Sequence, residues 1–133
     1  ARSMILVYAS VWIDHFRRSD SHLVALLESA QVLGHPLIAG ELACGNLRDR
    51  NQILSYYARL PVAPRASDDE VLAFIESRSL AGRGIGLIDV HLLAATTLLA
   101  DARLWTHDRK LHDVASDLGL GEYKLPGKSK HMD

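Results

Sequence analysis

Met4-Ile5-Leu6-Val7-Tyr8-Ala9-Ser10-Val11-Trp12-Ile13 changes character halfway along, and the change decides the fold class. Ile5-Leu6-Val7 is a short β-branched and aliphatic run, readable as a buried strand, and Ser10 is then placed to cap a helix running through Arg17. Strand followed by helix recurs downstream. From His22 to Ala30 the apolar residues Leu23, Leu26, Leu27 and Ala30 keep helical spacing, and Gly34 with Pro36 ends that segment before a second strand-like piece at Leu37-Ile38-Ala39. Glu41 to Leu47 and Gln52 to Leu60 read as further helical stretches. Ser67-x-x-Glu70 is a capping-box pattern ahead of Val71, Leu72, Phe74 and Ile75, which predicts a helix to about Leu80. Ile88 to Ala100, rich in Leu and Ala, reads as helix; Arg103-Leu104-Trp105 follows as a strand, with Thr106 as a cap. Leu111, Val114, Ala115 and Leu118 then form the core-facing stripe of a last helix closed by Gly119.

The chain has 133 residues and is 48% hydrophobic, which suits one domain able to bury roughly two-thirds of its unfolded surface. That domain is expected over residues 4–123. Ala1-Arg2-Ser3 and Lys124 to Asp133 carry no periodicity and are expected to be added residues or frayed ends. Fifteen basic against sixteen acidic side chains leave a net charge of -1, so any contact with RNA must rest on a local patch rather than a global basic field. The lone Cys44 excludes an internal disulfide and a cysteine-rich zinc site, and fits a reducing compartment; the cytoplasm is the expected location. Met4 to Val7 is too short for a signal segment or a membrane span, so a soluble protein is expected.

Strands separated by helices of this length favour parallel pairing, giving an α/β fold with a central, mainly parallel sheet flanked by helices. In such sheets sites form at the carboxyl ends of strands. The positions just after Val7, after Ile38, at the start of the Ile88 helix and after Trp105 hold Tyr8, Glu41, Asp89 and Asp108. Three carboxylates drawn from distant segments suit Mg²⁺ or Mn²⁺, hard ions that prefer oxygen ligands. Each acid also has a plain structural use: Glu41 and Asp89 favour helix N-termini, and Asp108 is a first-turn acid beside Thr106. Spacing alone does not separate these readings.

The wording around each acid adds to this. Met4 to Ile13 resembles the opening strand and turn of the PIN-domain family, in particular the VapC-type toxin ribonucleases, whose strand is usually followed by Asp-Thr-Ser. Ser10 matches that pattern; Tyr8 and Ala9 depart from it. Gly40-Glu41-Leu42 resembles the second acidic motif, Gly86-Leu87-Ile88-Asp89 with His91-Leu92-Leu93-Ala94 the third, and Trp105-Thr106-His107-Asp108 with Leu111 the fourth. All occur in order, and the likeness spans Met4 to Leu120. The resemblance implies a PIN-like fold and a Mg²⁺- or Mn²⁺-dependent endoribonuclease, with Glu41, Asp89 and Asp108 as catalytic metal ligands or positioners of metal-bound water, and Ser10 and Thr106 in support. It also implies a homodimer held inactive by a VapB-type antitoxin that masks the acidic pocket. The first acid of the pattern should stand where this chain has Tyr8. A phenol is a poor single-oxygen ligand and removes one negative charge, which predicts impaired activity and an ion-free site.

Among the remaining features, Gly82-Arg83-Gly84-Ile85-Gly86 lacks the Lys-Ser/Thr of a P-loop and reads as a turn into the Asp89 helix. Arg83 and Arg109, closest in sequence to the acidic motifs, are the candidate substrate-binding cations. No His-x₃-His pair stands on one helix face, which argues against zinc; His91 and His107 flank motif acids, with a structural role favoured over substrate contact. Cys44 is expected as a small buried apolar residue, and Trp12 and Trp105 as core anchors. Two further readings compete with the nuclease: a non-catalytic PIN module that binds antitoxin or RNA, and an unrelated doubly wound domain for a small ligand. The latter would hold the three acids more than roughly 10 Å apart, too far to share an ion.

Overall fold

A computed structural model describes residues 3–121. Ala1, Arg2 and 122–133, which include the end of the expected domain and the polar tail, lie outside the described residues. The sheet is built on β1 (Met4–Val7), which pairs in parallel with β2 (Val32–Leu33) on one side and β3 (Ala102–Trp105) on the other, giving the order β2-β1-β3. Ile5 faces Val32 and Arg103, and Val7 faces Trp105. Being central, β1 has no solvent face: Ile5, Leu6 and Val7 are all fully buried, which is why this strand reads as an unbroken apolar run rather than an alternation.

Seven helices surround the sheet among the described residues: α1 (Ala9–Arg17), α2 (Ser21–Glu28), α3 (Pro36–Cys44), α4 (Arg50–Ala58), α5 (Asp68–Ser77), α6 (Leu87–Thr97) and α7 (Arg109–Asp117). This is the expected α/β, PIN-like arrangement. The core joins β1 and β3 to Leu92 and Leu93 of α6 and to Leu111, Val114 and Ala115 of α7. Trp12 and Trp105 lie in it, as expected. Ser67 and Glu70 form the capping box that starts α5, the Ser67 hydroxyl accepting from the Glu70 amide at 3.1 Å and the Glu70 carboxylate from the Ser67 amide at 2.8 Å.

Local expectations fail at four points. Leu37-Ile38-Ala39 is not a strand but the first turns of α3, and the strand lies earlier, at Val32–Leu33. Pro36 occupies the first helical turn, where its fixed φ suits a helix, and His35 Nδ1 accepts the Leu37 amide at 3.0 Å, so the local capping chemistry outweighs the apolar run. Glu41 consequently lies within α3 rather than at its start. Ser10 does not cap α1: Tyr8 holds the N-cap position with no side-chain bond to the helix amides, and the Ser10 hydroxyl accepts from the His107 amide at 3.2 Å. Thr106 does not cap α7 directly; it accepts from the Asp108 amide at 3.1 Å, and Asp108 is the cap. Cys44 is exposed at the end of α3. No helix of the described residues is long and apolar enough to cross a membrane.

Candidate active site

Parallel pairing brings the end of β1 beside the end of β3, and the Tyr8 amide donates to the Trp105 carbonyl at 2.9 Å. Tyr8 therefore leaves the sheet next to the segment that carries Asp108. Gly86 is the N-cap of α6, and the Asp89 carboxylate folds back over that N-terminus, Oδ2 accepting the Gly86 amide at 3.0 Å. The remaining oxygen, Oδ1, accepts the Tyr8 hydroxyl at 2.7 Å, a contact between residues 81 apart in sequence. Asp108 caps α7 through Oδ1, which accepts the Leu111 amide at 3.2 Å. Glu41, midway along α3, turns Oε1 into the protein, where that atom is buried without a hydrogen-bond partner.

The electrostatics show that these groups face one another. Burial, the hydrogen bond to Asp89, and then the charges of Asp89, Glu41 and Asp108 all push the Tyr8 phenol far above its ordinary range, so it stays a neutral donor. Burial first, and the charge of Asp89 second, raise the Glu41 carboxyl above the usual carboxylate range. The charges of Asp89, Glu41 and Asp108 thus all bear on the Tyr8 phenol. The phenol supplies a hydrogen bond to one charged oxygen of Asp89 while adding no charge of its own.

That same bond sets the fit to a divalent ion. Asp89 has both oxygens engaged, Asp108 has one in its cap, and among the described residues no three His, Cys, Asp or Glu side chains are grouped to hold a metal ion. With Tyr8 on Asp89, the residues present do not fit Mg²⁺ or Mn²⁺, whose coordination needs several oxygens free to converge.

Around this centre, Arg83 pairs with Asp117 at 2.8 Å, and Arg109 has an interaction of its own within the protein. Asp14, which sequence reasoning did not single out, meets His107 Nδ1 at 2.6 Å. Their separation of 93 positions in sequence leaves no local signal of the pairing. A separate cavity of about 480 Å³, lined by Trp12, His15, Phe16, Ile53, Tyr56 and Tyr57 among others, opens between α1 and α4; none of the three acids lines it.

The three-stranded parallel sheet flanked by helices is that of an α/β, PIN-like fold, with Tyr8 at the end of its central strand facing the charges of Asp89, Glu41 and Asp108. No protein-family model matches the sequence. Ribonuclease VapC32 of Mycobacterium tuberculosis, in strains CDC 1551 / Oshkosh and ATCC 25618 / H37Rv alike, is 42% identical to it over 117 residues, which is 88% of this chain and 94% of that protein. The chain belongs to the PIN-domain family, among its VapC-type toxin ribonucleases.

Proposed function

We propose that this chain is the toxin component of a type II toxin–antitoxin pair, an endoribonuclease of RNA phosphodiester bonds whose Mg²⁺- or Mn²⁺-dependent site, Glu41, Asp89 and Asp108, is impaired by Tyr8. The VapC relatives support the ribonuclease class. The observation that carries the impairment is the 2.7 Å bond from the Tyr8 hydroxyl to Asp89 Oδ1, which commits one acid to an internal donor at the position where the family pattern has a first carboxylate. The partners that follow are RNA, a VapB-type antitoxin over the acidic pocket and a second copy of the chain, in the cytoplasm.

The same bond favours a second reading, a non-catalytic PIN module that keeps affinity for antitoxin or RNA. A phenol that stabilises Asp89 lets the pocket keep its shape with no ion in it.

Cleavage of a mixed cellular RNA pool by this chain and by Tyr8→Asp, in Mg²⁺ or Mn²⁺ and with chelator controls, separates the readings. Cutting by Tyr8→Asp alone, abolished by chelator, is the expected result. If the unaltered chain cuts equally well, Tyr8 is no impediment and that part of the proposal falls. If neither cuts, the nuclease reading falls and the binding module stands.

A further inference from the structure

A pocket of carboxylates repels the phosphate backbone of RNA, and a net charge of -1 supplies no compensating field, so cations at its rim must offset the repulsion locally. Arg83 is already committed to Asp117, and Arg109 has an interaction within the protein. Lys110 differs from both. It stands at the second position of α7, two residues beyond Asp108, is exposed, and makes no ion pair or side-chain hydrogen bond among the described residues.

Its side chain nevertheless runs over another segment of the chain. The side chain lies across Gly84: a Cβ added there would meet Lys110 Cδ at 3.2 Å and Nζ at 3.4 Å. Gly84 has a φ of +81°, and Gly82 one of +76°, so the glycine-rich turn from Leu80 to Gly86 takes a left-handed course that leaves its backbone bare for the lysine stem. The same turn ends at Gly86, whose amide holds Asp89. Lys110 thus rests between the segment that carries Asp108 and the segment that carries Asp89, with its charge unspent.

We infer that Lys110 is the cation that positions an RNA phosphate at the rim of the acidic site, and that the Gly82–Gly86 turn is its cradle. This assignment rests on the proposed action on RNA and names a residue for it. Lys110 touches substrate backbone and contributes affinity without base preference, its stem lying over Gly84, whose φ of +81° disfavours any side chain there.

The test is binding of a short, labelled, mixed-sequence single-stranded RNA by the full chain, followed by fluorescence anisotropy across a salt series in the presence of chelator. Lys110→Gln is expected to weaken binding several-fold and to reduce the slope of log K against log salt by about 0.7, the value for one phosphate contact on a single strand. Lys110→Arg should preserve both slope and affinity. A thermal melt of each variant checks that the fold is intact; a structural role for Lys110 would move the melt and leave the slope alone. An unchanged slope for Lys110→Gln, with the unaltered chain binding RNA, overturns the assignment and leaves the proposed function standing. Absence of RNA binding by the unaltered chain overturns both.

Discussion

Removing a single oxygen, Tyr8→Phe, tests whether the phenol holds the acidic site together. The ring, which packs against the core, is retained, so no cavity forms and the change is confined to the hydroxyl. That hydroxyl donates to a charged carboxylate at 2.7 Å, and hydrogen bonds to charged groups contribute about 1.5–3 kcal/mol when buried. Tyr8 and Asp89 are only half-buried, so water can replace part of the bond, and a loss of about 1–2 kcal/mol is expected. For a chain of this length such a loss lowers Tm by roughly 3–10 °C. Urea unfolding followed by circular dichroism at neutral pH, alongside thermal melts, measures it. Equal or greater stability of Tyr8→Phe would refute the reasoning, because the acids would then need no donor. The complementary change, Tyr8→Asp, adds a carboxylate to the cluster and should destabilise the chain in chelator. Mg²⁺ or Mn²⁺ should restore it, by about 2.7 kcal/mol at a hundredfold excess over Kd, while leaving the unaltered chain unmoved.

Two further outcomes concern the scaffold. His35 is buried, and desolvation first, then the charges of Arg65 and His91, lower its pKa to about 4. The unfolded chain takes up a proton near the ordinary 6.5 whereas the native state resists until about 4, so stability is complete above pH 6.5 and is lost as pH falls towards 4. The contribution amounts to about 3 kcal/mol, and urea titrations from pH 7.5 to 4 (roughly the range over which both states titrate) should show it shrink in His35→Asn, which can keep the cap on Leu37. Ser67→Ala removes one half of the capping box and should cost about 1 kcal/mol, read as faster amide exchange in the first turn of α5; unchanged exchange would show that the box is dispensable.

Much of this molecule is written in its local patterns. The unbroken apolar run of β1, the stripe Leu111, Val114 and Ala115 on α7, and the Ser67/Glu70 box each express one element's own periodicity or capping, and each appears in the fold as read. Leu37-Ile38-Ala39 has the look of a strand because three apolar residues carry no period; Pro36 and the His35 cap make it helix instead, with Ile38 and Leu42 on the buried face. The motif order likewise set out Tyr8, Glu41, Asp89 and Asp108 as candidates for one site. Which oxygen each would use was beyond sequence. Ser10 and Thr106 have hydroxyls equally suited to local capping, and only the approach of β3 to the start of α1 sends the Ser10 hydroxyl to the His107 amide. Tyr8 meets Asp89, Arg83 meets Asp117 and Lys110 crosses Gly84 through chain separations that no period spans. A helix face follows from neighbours three and four residues away, so sequence determines it; the pairing of charges and donors depends on where the sheet brings the ends of distant elements, so the tertiary structure alone decided it.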